Sequence, residues 1–233
     1  MNDQISAATD RLLSTVDRLE DAEWSAPSVC LGWSRAHVVA HLALNAEALG
    51  GVVRGLLEGT PTTMYGSNDA RAADIETLAA APPDRIRERL RSAATFFSDA
   101  VSGVESLPAG TTFERTPGGL VMVAAHIPGL RLREVEIHHA DLAAGYSHAD
   151  WRPETVVAFL DRDAAGYDGA GFVARATDLG RQWAFGSPTV EAPVVSGPAS
   201  ALAWWATGRP LPTRGAGVVL SSSTGTLPTM EGR

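Results

Sequence analysis

Ser34-Arg35-Ala36-His37-Val38-Val39-Ala40-His41-Leu42-Ala43-Leu44-Asn45-Ala46-Glu47-Ala48 decides the fold. Ser34 is an N-cap candidate, because its hydroxyl can accept from a free amide in the first turn of a helix. From Arg35 to about Leu57 the chain reads as one long helix, with His37, His41, Asn45 and Ala48 along one face. Two imidazoles on so apolar a helix need partners, since a buried polar group without one is costly.

Other helices gather around this one. Ile5, Ala8, Leu12, Val16 and Leu19 recur at helical spacing and stop before the polar, proline-containing stretch Glu20–Leu31. Pro83 opens a further helix striped by Ile86, Leu90, Ala93, Ala94 and Phe97. The intervening stretch Gly59–Ala73, with Met64, Tyr65 and Arg71, reads as a loop. A fourth helix runs from about Gly129 to Ala144, carries Leu132, Val135, His138 and Leu142, and stops at Gly145. Four helices suffice for a bundle. Past residue 150 the pattern changes. A helical segment near Glu154–Ala165, a Gly-rich stretch, β-like runs near Thr189–Val195 and Ala216–Ser221, and an apolar helix near Ser200–Ala206 read as a smaller α+β domain. The expected division is a helical bundle over 1–150 and an α+β domain over 151–233, with Ser222–Arg233 as a surface tail.

Composition narrows the function. With 45% hydrophobic and 20% charged residues the chain is an ordinary globular one. The net charge of -8 argues against a nucleic-acid partner, which needs clustered cations. There is no lysine, which excludes Schiff-base lysine chemistry and a phosphate-loop lysine. No signal-like N-terminus and no run near ~20 apolar residues is visible, so the expectation is a cytoplasmic protein without a membrane partner. Cys30 is the single cysteine, which fits a reducing compartment; it reads as a small buried residue, so a thiol that does chemistry comes from elsewhere.

The second motif is Arg133-Glu134-Val135-Glu136-Ile137-His138-His139-Ala140-Asp141. Glu134 and His138 are one turn apart and share a face, which is metal-ligand spacing; alone, such a pair is more often a hydrogen-bonded couple on a solvated face. Zinc takes imidazole and carboxylate, with three protein ligands in a catalytic site and four in a closed structural one. Whether His37, His41 or both join the second helix therefore matters, and spacing leaves that open. His139 points about 100° away from His138 and is a poorer ligand. Asp141 is placed either to fix the tautomer of a ligand or to serve the bundle. His126 and His148 have no evident partner, and surface or structural roles are expected of both.

Gly32-Trp33-Ser34 and the helix through Ala46 resemble the first metal-binding helix of the mycothiol-dependent maleylpyruvate isomerase family, among the DinB-like metalloenzymes. The likeness continues through Met64-Tyr65, Ser67, Ala70 and Arg71, then Arg133-Glu134-Val135, Ile137-His138 and Asp141-Leu142. It ends with Val195-Ser196-Gly197, Ala206, Gly208-Arg209 and Ser222-Ser223-Thr224-Gly225. The resemblance implies an α+β fold, a DinB-like four-helix bundle followed by a smaller C-terminal domain. It implies zinc held by His41, Glu134 and His138, with His37 as a neighbour, and mycothiol, a sugar-linked cysteine derivative, as thiol partner. The implied reaction is conversion of maleylpyruvate to fumarylpyruvate by thiolate addition, bond rotation and elimination. A dicarboxylate substrate calls for arginine forks; Arg209 is the catalytic candidate, with Arg71 and Tyr65 as substrate-binding ones. Glu136 and His139 depart from the family pattern, which raises a thiol transferase acting on another electrophile as the alternative. A non-catalytic zinc-binding module is the remaining class, and a fourth ligand would mark it.

Overall fold

The structure, a computed structural model, describes residues 1–211 and 220–230. It divides into two compact units, Met1–Tyr146 and Ser147–Arg233, and is α+β with a helical N-terminal unit.

In the first unit, α1 (Asn2–Asp17), α2 (Arg35–Leu57), α4 (Pro83–Val101) and α5 (Ile127–Asp141) pack together, and α3 (Asn68–Ala79) lies on α2. α1 buries Ile5, Ala8, Leu12, Thr15 and Val16, the stripe that its periodicity demands. α2 is the central element and is buried on most sides; Val38, Val39, Leu42, Leu49, Val52 and Val53 are fully sequestered, each worth about 1.5–3 kcal/mol of burial. By length and composition α2 is apolar enough to cross a membrane, but its exceptional hydropathy is that of a helix lying inside a bundle. Gly50 is needed there: a Cβ would come within 2.7 Å of the Phe96 ring, so the glycine lets α4 approach the α2 backbone.

Three ties set the heights of the site-bearing helices. Arg35, at the start of α2, donates from Nε to Leu142 O (2.8 Å) and from Nη2 to Ala143 O (2.8 Å), just past the end of α5. The Val29 amide donates to Asp141 O at 2.9 Å, docking the loop before α2 on the same end. The start of one helix therefore meets the finish of the other, and the second turn of α2 is level with the last turns of α5. The segment before α3 runs beside the small antiparallel hairpin β1 (Thr112–Glu114) and β2 (Val121–Val123), through Met64 N to Glu114 O (3.2 Å) and Tyr65 N to Arg115 O (3.0 Å).

Two elements here were not expected. Half of α3 falls in the stretch read as a loop, and the hairpin has no counterpart in the sequence reading.

In the second unit, α6 (Pro153–Gly166) and α7 (Ala199–Ala206) accompany a sheet of order β4-β3-β5-β6. β3 (Phe172–Ala176) is antiparallel to β4 (Gln182–Phe185) and parallel to β5 (Val194–Gly197), which pairs antiparallel with β6 (Ser221–Ser222). Phe172 stacks on Phe185 with centroids 4.6 Å apart, and Trp205 from α7 meets Phe172 edge-on at 5.3 Å. Ser222, expected at the head of a tail, is the last residue of β6. The β-like run read over 216–221 lies outside the described residues except for 220 and 221, and residues 231–233 of that tail are outside them too.

Candidate metal centre

Ser34 and His37 start α2 as a reciprocal cap: the Ser34 side chain serves the amide of His37, and His37 Nδ1 lies 2.7 Å from Ser34 Oγ and 3.3 Å from its amide. His37 Nε2 meets Glu76 Oε2 at 3.1 Å. Both of its nitrogens are engaged at the mouth of the helix. One turn later His41 is buried, at 3% exposure, and faces α5.

There His41 Nε2 lies 2.8 Å from Glu134 Oε2, and His138 Nε2 lies 3.5 Å from the same oxygen. The two imidazoles meet edge to face, with centroids 4.6 Å apart. One donor atom from each of His41, Glu134 and His138 falls within 4.8 Å of the others. Behind them, Asp141 Oδ2 sits 2.9 Å from His138 Nδ1, and the Cys30 thiol donates to that oxygen at 3.2 Å. Asp141 thus occupies the far nitrogen of His138 and leaves Nε2 directed at the trio, the usual arrangement behind a ligating histidine. Trp33 tilts over His41 at 5.5 Å and forms a wall.

Electrostatics divides the two imidazoles. Burial pushes His41 down to about 4, against the pull of Glu134, so the ring is neutral at pH 7. Burial also disfavours charge on His138, but its hydrogen bonds to Asp141, Cys30 and Glu134 outweigh it and hold that ring well above the ordinary value. Burial would raise Glu134; the two imidazoles beside it prevail and hold its carboxyl well below the carboxylate range. Glu134 is thus ionised beside a neutral His41, and His138 holds its proton more tightly than an ordinary imidazole. The atoms of the trio fit a divalent cation of the zinc type, which takes imidazole and carboxylate. One adjustment is required. Arg71 Nη2 donates to His41 Nδ1 at 3.1 Å, which leaves the ring proton on Nε2, the nitrogen directed at the trio.

Sequence reasoning missed two nearby residues. Arg131, one turn before Glu134, is 1% exposed; its Nη1 donates to Leu42 O (2.9 Å) and to Asn45 Oδ1 (2.8 Å), one turn beyond His41. Burial brings its guanidinium down to about 10, still charged at pH 7, with the Glu134 carboxylate opposing the shift. Its spacing from Glu134, matched by Asn45 from His41, was the available signal. Cys30 is the other, and its loop position offered none.

The substrate-binding candidates lie beside the trio. The Tyr65 ring carries two guanidinium groups, Arg71 at 5.5 Å and Arg115 at 5.4 Å from its centroid. Tyr65 and Arg71 line a cavity of about 270 Å³ with Met64 and Leu44. Arg209 belongs to the second unit, where its guanidinium lies 5.7 Å from the Trp204 ring centroid. The two residues that broke the family pattern face α1 instead. Glu136 accepts from Arg11 (2.7 Å) and from the Tyr146 hydroxyl, while His139 stacks on Tyr146 at 3.8 Å and meets Thr15 Oγ1 at 2.8 Å.

A family model, the mycothiol maleylpyruvate isomerase N-terminal domain, matches residues 5–143. The chain belongs to this family. No curated protein matches the chain to a significant degree. Two solved structures resemble it, the mycothiol-dependent maleylpyruvate isomerase and a histidine-to-alanine variant of that protein. Each gives a TM-score of 0.84 at 23% identity, over 100% of this chain and 95% of the other. At that identity the likeness speaks for a shared fold. In this member of the mycothiol maleylpyruvate isomerase family, the matched region contains the whole trio, Asp141, Cys30, Arg71 and Tyr65.

Proposed function

We propose that the protein is a zinc- and mycothiol-dependent cis–trans isomerase that converts maleylpyruvate to fumarylpyruvate, acting in the cytoplasm. The observation that carries this reading is the convergence of His41, Glu134 and His138 with Asp141 fixing His138 from behind. Family membership supports the thiol and the substrate class.

Zinc held by these three side chains would supply the positive charge that keeps a thiol ionised at neutral pH. The substrate's cis double bond accepts the thiol, becomes single, rotates, and re-forms as trans when the thiol leaves; no atom is gained or lost. The chain's residues prepare for this. Glu134 stays ionised and offers its lone pairs as it stands, whereas His41, though neutral, must first carry its ring proton on Nδ1. Asp141 sets the orientation of His138. Arg71, next to the trio, supplies a fork for a substrate carboxylate, and Tyr65 holds that arginine from its ring face. The role assigned to Arg209 rests on its motif match, and Arg209→Ala tests it.

His37 is spent on Ser34 and Glu76, which favours three ligands and an exchangeable position over a closed, non-catalytic site. The thiol-transferase alternative drew on Glu136 and His139, and both side chains are occupied by α1 partners and Tyr146. The test is turnover of maleylpyruvate by zinc-loaded protein with and without mycothiol, beside His41→Ala. Thiol-dependent formation of fumarylpyruvate, lost in the variant, supports the isomerase. Unchanged maleylpyruvate in the presence of bound zinc and mycothiol moves the transferase to first place.

A further inference from the structure

The reverse side of His138 carries a donor set of its own. Cys30 Sγ lies 3.2 Å from Asp141 Oδ2 and 4.0 Å from His138 Nδ1, and those two atoms are 2.9 Å apart. Sulfur, nitrogen and oxygen thus close a triangle, each atom within 4.8 Å of the others. Ligands about 2.0–2.3 Å from one tetrahedral ion stand roughly 3.3–3.7 Å apart, which is the scale of these edges. The set shares His138 with the trio, but through the other ring nitrogen.

The chain holds the thiol in place. The turn over 28–33 closes on itself, with the Cys30 amide on Ser28 Oγ (3.2 Å) and the Trp33 amide on Cys30 O (3.0 Å), and the Val29 amide pins it to Asp141 O. Asp141 is fully buried and the His138 side chain is 15% exposed, while Cys30 is half-buried and leaves an ion a way in. Three donors leave a fourth position for water. The thiolate makes this set softer than the two imidazoles and carboxylate of the trio, and soft ions follow thiolate.

We propose that Cys30, His138 Nδ1 and Asp141 form a second metal position, selective for a thiophilic divalent cation such as cadmium, whose occupation excludes an ion from the trio. Uptake expels the thiol proton to solvent and leaves the ring proton of His138 on Nε2, the nitrogen 3.5 Å from Glu134 Oε2. That nitrogen then has no lone pair for an ion held by His41 and Glu134. One imidazole serves one ion at a time, and a soft ion takes it from the trio.

The inference stands apart from the isomerase reading, and its test needs neither mycothiol nor substrate. Metal-free full-length protein is titrated with cadmium chloride while the ultraviolet sulfur-to-cadmium charge-transfer band is recorded; Cys30 is the single cysteine of the chain, so the band reports on it alone. The band should saturate at one cadmium per chain, persist in His41→Ala, which dismantles the trio, and vanish in Cys30→Ser. Equilibrium dialysis should count a single ion, and His138→Ala should weaken cadmium at least about tenfold, the lower end of what even an outer-shell partner contributes. Thermal melts establish that each variant is folded. Cadmium bound without the band, unaltered cadmium affinity in His138→Ala, or a second ion held at the same time overturns the assignment. So does saturation at one cadmium per two chains with dimerisation, which places the ion between two copies.

Discussion

Arg71 Nη2 and His41 Nδ1 lie 3.1 Å apart, and only the arginine of the two can be the donor. A cation on Nε2 of His41 requires the ring proton on Nδ1, where it would face the guanidinium. A metal at the trio would thus compete with Arg71 for the tautomer of one ring, and would free the Arg71 guanidinium from His41 for a substrate carboxylate. Arg71→Ala should raise zinc affinity severalfold, read by competition with a chelator, and raise KM for the dicarboxylate with little change in thiol binding. Weaker zinc binding in the variant would refute the competition.

Asp141 grips His138 Nδ1 at 2.9 Å from a fully buried position. Groups in that role contribute 10–100-fold to metal affinity, so Asp141→Ala should weaken zinc by about that factor. Thermal melts with and without chelator provide the readout, since an ion that binds only the folded chain raises its stability. An unchanged chelator effect in the variant would remove Asp141 from the site.

Glu136 joins α5 to α1 through Arg11 and holds the Tyr146 hydroxyl. Glu136→Ala leaves those partners unpaired in a site where Glu136 itself is 1% exposed, and should cost about 2–3 kcal/mol in denaturant unfolding. The kcat/KM of folded protein should hold within about twofold, a barrier change well under 1 kcal/mol. A large shift in substrate preference would return Glu136 to the specificity machinery.

In the second unit, His148 is buried against Trp204 (5.5 Å) and Trp151 (6.3 Å), and its Nδ1 has no partner among the described residues. Burial lowers its pKa below 6.5, with Asp150 opposing. The folded state thus prefers the neutral ring. Its contribution to stability is present above the unfolded value near pH 6.5 and is lost as the pH falls toward the folded one. Between about pH 7.5 and 5 the wild-type Tm should drop more steeply than that of His148→Phe; parallel slopes would show that the ring does not titrate in this way.

Much of this was legible because α2 and the second ligand motif are periodic. Burial of His41 and the shared face of Glu134 and His138 follow from spacing once the helices are set. α3 escaped notice because Ile75 is its single buried residue, so it has no apolar stripe; its start signal was Ser67, whose side chain accepts from Ala70 N at 3.0 Å. The hairpin strands are three residues each, too short for alternation to register. β3 and β4 did alternate, with Phe172, Ala174 and Ala176, then Trp183 and Phe185, turned inward, but glycines around them masked the signal. Between His37 and His41, the Ser34 cap and Glu76 engage the former, a competing use that spacing does not reveal. Cys30 reaches the site only because Val29 binds the Asp141 carbonyl.

The Arg35 staple has a bearing on how the protein is made. Glu134 follows His41 by 93 positions, and the Arg35 bonds to Leu142 and Ala143 form only once α5 is complete. A ribosome that has released only the first four helices displays His41 without its partners from α5. The donor set comes into being when the N-terminal unit closes, so metal uptake would report a finished bundle, and a chain truncated before α5 should be silent to zinc.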